Sequence, residues 1–277
     1  MRKSKISCLP LLFFDELVKT KTMTMEDWFA RAVSLGLSGV EMHRSFLGDD
    51  DPFTEAKKIA KLAESYGLSI SMLTGASDFT HPQREERERQ IVLCCESIQL
   101  AEVLGAPYYR LTAGQEHKGV PREQLFAWVE EGFTKSLQYA DKLGIVLAFE
   151  NHYKDYYWTY PDLSRHMADY LRILAMFEGS NLRVNFDTSN LIVVGEDPLA
   201  LLEKVLPLVV YVHASDRVGE NIYQHGIPGT GLVEFDRIFE LLQKNNYSGW
   251  ISVEYNGTGG VEALRTAIEF IRNNYKG

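Results

Sequence analysis

Four apolar runs in this chain end in a side chain able to ligate a cation: Leu147-Ala-Phe-Glu150, Val184-Asn-Phe-Asp187, Val210-Tyr-Val-His213 and Ile251-Ser-Val-Glu254. Three carboxylates and one imidazole form a hard, mostly oxygen donor set that suits one divalent ion. Mn²⁺ or Mg²⁺ fits it best, with Co²⁺, Fe²⁺ or Zn²⁺ able to substitute. A thiolate-rich zinc site is excluded, because the only cysteines are Cys8, Cys94 and Cys95. One acidic residue at the end of an apolar run is often a helix cap or an ion-pair partner. The joint pattern says more: the four positions lie 37, 26 and 41 residues apart, each step the length of one strand-helix unit.

To converge on one ion, the four side chains must sit at equivalent ends of neighbouring strands. Short β-branched or aromatic runs alternate with amphipathic segments about every thirty residues, the scale of a βα unit. The predicted strands are Lys5–Leu12, Ser38–Met42, Leu68–Leu73, Tyr108–Leu111, Val146–Glu150, Arg183–Phe186, Val209–His213 and Trp250–Glu254. Between and after them apolar residues recur at helical spacing, as from Ile91 to Leu104, from Leu125 to Ala140, from Leu163 to Phe177 and from Val261 to Ile271. Gly36, Gly67, Gly105 and Gly144 each stand where such a helix must stop in a left-handed turn. Eight units without a linker or low-complexity tract predict one (β/α)8 TIM barrel domain over residues 1–277. A doubly wound open sheet is the rival architecture. In a barrel the C-terminal strand ends face the active-site mouth, which is where all four ligand-type residues fall.

The formal net charge of −9, from 29 basic and 38 acidic residues, opposes a phosphate backbone and argues against a nucleic-acid partner. An odd cysteine count with two adjacent thiols fits a reducing cytoplasm. The N-terminal stretch MRKSKISCLPLLFFDEL has the basic-then-apolar order of a signal peptide, but Ser7 and Pro10 interrupt the run and acidic residues follow it, so it reads as the first strand. No run approaches the ~20 apolar residues of a membrane span.

Other strand ends supply candidates for substrate contact. Glu41 and His43 end the second strand, and Glu41 reads as a ligand contact or as an ion pair inside the mouth. Arg110 reads as a clamp for a substrate anion or, with slightly more weight, as a neutraliser of the acid around the ion. His152 is placed to reach a hydroxyl or to give a supporting hydrogen bond. Asp216 and Arg217 are a loop-fixing pair or a substrate clamp, with a mixed role for Arg217. His225 is catalytic or simply exposed. The stretch Tyr153-Lys-Asp-Tyr-Tyr-Trp-Thr-Tyr160 is unusually aromatic for a loop and reads as a sugar-stacking wall or a homo-oligomer contact.

Taken together, Gly39-Val-Glu41, Phe149-Glu150-Asn151, Asn185-Phe-Asp187-Thr-Ser-Asn190, Tyr211-Val-His213-Ala-Ser-Asp216-Arg217, Pro228-Gly-Thr-Gly231 and Tyr247-Ser-Gly-Trp-Ile-Ser-Val-Glu254 resemble the xylose isomerase-like barrels, which include sugar isomerases and epimerases, inosose dehydratases and endonuclease IV. The resemblance spans nearly the whole chain and is nearest in pattern to the ketose 3-epimerases and inosose dehydratases. It implies that the quartet binds Mn²⁺ or a related ion and that Glu150 and Glu254 carry the acid–base chemistry. Two departures stand out. Asn190 occupies the place of a usual histidine, and it can hydrogen-bond a hydroxyl but cannot titrate. Tyr156 and Tyr157 stand where an acid is usual. Endonuclease IV is similar in fold but needs further histidine and aspartate ligands, most of which this chain lacks.

The expected activity is therefore a metal-dependent isomerase or epimerase acting on a sugar or keto-polyol through an enediolate, a chemistry that a chelated carbonyl and a positioned carboxylate support. Asn190 joins Glu41, His43, Arg110, His152 and Arg217 as an expected substrate contact. The alternative is a dehydratase or lyase on an inosose or 3-keto sugar, using the same first proton abstraction. A non-catalytic sugar-binding barrel is the third reading, against which the intact quartet argues.

Overall fold

The computed structural model describes residues 5–275. The basic residues Arg2 and Lys3 that head the N-terminal stretch lie outside them. Eight strands and eight principal helices alternate: β1 (Ile6–Leu9), α1 (Met25–Ser34), β2 (Gly39–His43), α2 (Pro52–Ser65), β3 (Ser69–Thr74), α3 (Arg84–Leu104), β4 (Tyr108–Leu111), α4 (Arg122–Leu143), β5 (Val146–Glu150), α5 (Met167–Met176), β6 (Arg183–Asp187), α6 (Pro198–Val205), β7 (Val209–Ala214), α7 (Phe235–Lys244), β8 (Trp250–Glu254) and α8 (Gly260–Asn274). The strands run in the order β1-β8-β7-β6-β5-β4-β3-β2, every registered pair parallel. This is the predicted (β/α)8 barrel. Strands covered by helices on one side and by the barrel interior on the other are apolar on both faces, which is why they read as continuous runs.

The ring is nearly closed. Seven of its strand interfaces are registered ladders; β1 and β2 lie side by side and are joined instead by Ser38. The Ser38 N–H donates to Ile6 O at 3.0 Å, and the Ser38 hydroxyl stands 3.1 Å from both Ile6 N and Ile6 O.

The punctuation in the sequence acts as expected. Thr24 and Asp27 form a reciprocal capping box that starts α1. Gly105 and Gly144 end α3 and α4 at φ of 72° and 69°, where a side chain would be strained. Several strand ends differ by one residue, and two boundaries fall well inside the expected span. The first strand stops at Leu9 rather than Leu12, because Pro10 has no N–H for a ladder and the chain turns into short helical segments over Leu11–Phe13 and Phe14–Val18. The fifth helix begins at Met167 rather than Leu163, since the Leu163 N–H is taken by Gly114 O and its side chain anchors the preceding loop. Among the described residues no helix is long and apolar enough to cross a membrane.

Register places each ligand-type residue level with the next one, or two residues from it, along the ring. Asp187 lies opposite His213, and Glu150 lies opposite Asn185, two residues before Asp187. Ser252 lies opposite His213, so Glu254 projects two residues further toward the mouth. Side chains alternate along a strand, and these steps of two keep all four pointing to the same side of the sheet.

Candidate metal centre

Glu150, Asp187, His213 and Glu254 each present a ligand atom within 4.8 Å of the others. The first three are buried and Glu254 is partly so. His213 stands at the centre. Its Nδ1 lies 3.0 Å from Glu150 Oε1 and 3.1 Å from Glu254 Oε2. Its Nε2 faces Glu41, 3.0 and 3.1 Å from the two carboxylate oxygens. A neutral imidazole has one N–H, and with Nε2–H donated to Glu41 the Nδ1 lone pair is left facing Glu150 and Glu254.

The residues fit a divalent ion on their own chemistry. Glu254 Oε2 is buried without a hydrogen-bond partner; it is near enough to His213 Nδ1 but not aligned with it. A buried carboxylate oxygen left bare is costly, and a cation among these oxygens and Nδ1 satisfies it. Protonation follows the same crowding. Burial, then Glu254 and Glu150, push the Asp187 carboxyl up to about 6. His213 opposes its own burial with Glu41, Glu150 and Glu254 beside it, which raise it well above the usual imidazole range. Burial also works to raise Glu150, but Arg110 and His213 outweigh it and hold Glu150 down at about 2. The site thus keeps protons where an ion would bring charge.

The supporting shell is built from several strands. Asp187 Oδ1 accepts the N–H groups of Ser189 and Asn190 at 2.8 and 2.6 Å, while Oδ2 accepts from the Ser215 hydroxyl at 2.8 Å. Asn151, directly after Glu150, clamps the Asp187 backbone with two 2.8 Å bonds. Tyr211, two residues before His213, donates to Glu41 Oε2 at 3.0 Å and meets the hydroxyls of Ser7 and Ser71 at 3.1 and 2.7 Å. These partners come from β1, β2, β3 and β7, so the contacts run across the barrel interior. Thr74 also donates to Glu41.

The six expected substrate contacts are all buried around this centre. Arg110 bonds Glu150 Oε2 and Gly75 O at 2.9 Å each and stands 3.5 Å from Asp155. Glu41 is on His213. Arg217 donates to Asn190 Oδ1 at 2.9 Å and to Tyr223 O at 2.6 Å, while its buried Nε–H has no acceptor. His152 lies 3.4 Å from Asp162, and His43 accepts the Ser45 N–H at 3.2 Å. Two loop residues differ from expectation. Asp216 does not pair with Arg217 through side chains but accepts four backbone N–H groups, those of Arg217, Gly229, Gly231 and Val233, at 2.9 to 3.1 Å. His225 is buried rather than exposed, with Nδ1 3.2 Å from Glu254 O; burial, then Arg217, lowers its pKa to about 4. Sequence reasoning missed Asn151, Ser215, Tyr211 and Asn185, whose Nδ2 lies 3.2 Å from His213 Nδ1. For Asn185 and Tyr211 the two-residue offset from a ligand on the same strand was an available signal.

A family model for xylose isomerase-like TIM barrels matches residues 29–274. Among curated proteins, the chain is 26% identical over 148 residues to an inosose dehydratase of Clostridium beijerinckii, covering 48% of this chain and 47% of that protein. It is 22% identical over 262 residues to an inosose dehydratase of Clostridium botulinum, covering 84% and 83%. The chain spans about half the length or less of several of the curated relatives it matches. Among solved structures, a D-tagatose 3-epimerase-like protein superposes with a TM-score of 0.80 at 17% identity, covering 98% of this chain and 96% of that one. At that identity the likeness speaks to the fold.

Proposed function

The chain belongs to the xylose isomerase-like TIM barrel family, and on that premise we propose that it is a divalent-metal-dependent sugar isomerase or epimerase. It works as one barrel domain over residues 1–277, in a reducing cytoplasm, on a ketose or keto-polyol. Glu150, Asp187, His213 and Glu254 hold the ion, Mn²⁺ foremost. When bound, the ion polarises the substrate carbonyl and offsets the negative charge of the enediolate. The observation that carries this reading is the convergence of the four ligand atoms within 4.8 Å at the ends of four consecutive strands.

Glu150 and Glu254 move the proton. Both carboxyls are held low, against burial, by basic neighbours that include His213, so both are ionised and able to accept one. Standing on different strands of the mouth, they flank a substrate; one removes the proton beside the carbonyl and the other returns one. Asp187 and His213 act as ligands alone. Glu41 orients His213 by accepting its Nε2–H, and Arg110 fixes Glu150. His43, His152, Asn190 and Arg217 meet the sugar hydroxyls, with the unpaired Arg217 Nε–H a donor in reserve.

The test is solvent-deuterium incorporation at the carbon next to the carbonyl, in Mn²⁺-replete protein incubated with a panel of ketoses in D₂O. Exchange that Glu150→Gln and Glu254→Gln abolish supports the reading; no exchange with any ketose refutes it. A second reading is favoured by the curated relatives, which are inosose dehydratases: the same abstraction followed by loss of a β-hydroxyl from an inosose or 3-keto sugar. A product lighter by one water decides for it.

A further inference from the structure

Eight large apolar side chains are exposed among the described residues, and six of them sit on two loops at the mouth: Tyr156 and Tyr157 after β5, and Val218, Ile222, Tyr223 and Leu232 after β7. Tyr156, Tyr157 and Tyr223 are 67%, 57% and 50% exposed, well beyond the single scattered apolar residue that needs no explanation. The rings are held rather than loose. Tyr156 and Tyr157 stand at 89° with centroids 5.2 Å apart, and Phe14 backs both at 6.2 and 6.4 Å. Lys19 donates to the Tyr156 hydroxyl at 2.6 Å and pairs with Asp15 at 2.9 Å. Across the gap between loops, Tyr223 packs on Tyr153 and donates to Lys154 O at 2.9 Å.

These rings adjoin the reacting centre. The Tyr157 N–H donates to Asp155 at 3.1 Å, Asp155 faces Arg110, and Arg110 bonds Glu150. The Tyr223 carbonyl accepts from Arg217. We propose that the corner made by Tyr156 and Tyr157 is a subsite for a second sugar ring, so that the substrate is an O-linked glycoside or disaccharide rather than a free monosaccharide. The proposal rests on the ketose reading of the metal centre and names its substrate class. A pyranose presents a C–H face to an aromatic ring and hydroxyls at its edge. The corner offers ring faces, phenol hydroxyls, and a Lys19 ammonium with one N–H still uncommitted. A flat protein interface would favour rings lying in one plane; two rings at right angles make a notch for one small body. Tyrosines supply that contact with little loss of side-chain freedom.

Mn²⁺-loaded protein is titrated calorimetrically with fructose and with lactulose, whose fructose unit carries an O-linked galactose ring. The subsite makes lactulose bind about tenfold tighter, and Tyr156→Ala or Tyr157→Ala brings the lactulose-to-fructose ratio close to one. Equal affinities in the wild type, or a ratio that survives both substitutions, overturn the subsite and leave the ketose reading standing. Binding of neither sugar by protein that takes up Mn²⁺ overturns both. Light scattering closes the remaining case: a dimer that Tyr157→Ala dissociates puts a second copy of the chain on the corner and overturns the proposal.

Discussion

Replacing Asp187 with asparagine should make the metal-free protein more stable while removing its use for the metal. Burial and two neighbouring glutamates raise the Asp187 carboxyl from 3.8 to about 6. A rise of that size corresponds to about 3 kcal/mol between the two protonation states. For a raised carboxyl the favourable contribution is fully present below the unfolded value of 3.8 and is lost as pH rises through about 6. At neutral pH, then, the metal-free fold carries an ionised Asp187 that it would hold better protonated. Asparagine has no proton to lose, and its amide oxygen can still accept the Ser189 and Asn190 N–H groups, while the Ser215 hydroxyl can turn to its close neighbour Ser189. The assay is urea unfolding of chelator-treated wild type and Asp187→Asn from about pH 4 to about pH 8. The two should nearly coincide at the acid end and diverge to about 3 kcal/mol in favour of the variant above pH 7. Adding Mn²⁺ should nearly close the gap, by about 2.7 kcal/mol at a hundredfold excess over the wild-type dissociation constant, and reverse the order at a thousandfold excess, where the gain is about 4.1 kcal/mol. A difference that does not change with pH, or a metal-free wild type that remains the more stable at pH 8, would refute the reasoning.

Other perturbations test the supporting residues. Glu41→Ala frees His213 to turn and should weaken Mn²⁺ binding roughly 10- to 100-fold by calorimetry, with Glu41→Gln falling between. Arg110→Met leaves Glu150 buried without its guanidinium, so unfolding at pH 7 should show a loss of roughly 3 kcal/mol, and the acid limb of the exchange rate in D₂O should move to higher pH. Asp216→Ala orphans four backbone N–H groups and should cost roughly 3 kcal/mol, with faster amide exchange at Gly229, Gly231 and Val233; Asp216→Asn should cost less.

The four strand ends could be found in the sequence because each is a local event: an apolar run, then one ligand-type residue, then a turn. The same locality made Val146–Glu150 and Trp250–Glu254 readable to the residue. Locality also explains the misreadings. Leu11, Leu12 and Leu163 are apolar for reasons other than strand or helix, packing short turns and a loop anchor against the core, and composition alone cannot separate those cases. What could not be read was who faces whom across the ring. Glu41 and His213 are 172 residues apart and on non-adjacent strands, and their contact depends on barrel radius and stagger. Arg110 shows the limit from the other side: its position at a strand end was clear, but its choice of Glu150 over an incoming anion needed the fold.

The single unladdered interface, between β1 and β2, leaves the barrel a ring with one seam, pinned by Ser38 on Ile6 where the other seven joints are paired strands. The seam lies beside Phe14 and His43, whose ring centroids stand 5.1 Å apart, Phe14 on the segment leaving β1 and His43 at the last position of β2. Phe14, leaving β1, reaches across the mouth to Tyr156 and Tyr157 on the loop after β5. The four strands that end in Glu150, Asp187, His213 and Glu254 form the laddered arc β5 to β8, so that contact bridges the seam side of the ring to the side carrying the four ligand-type residues.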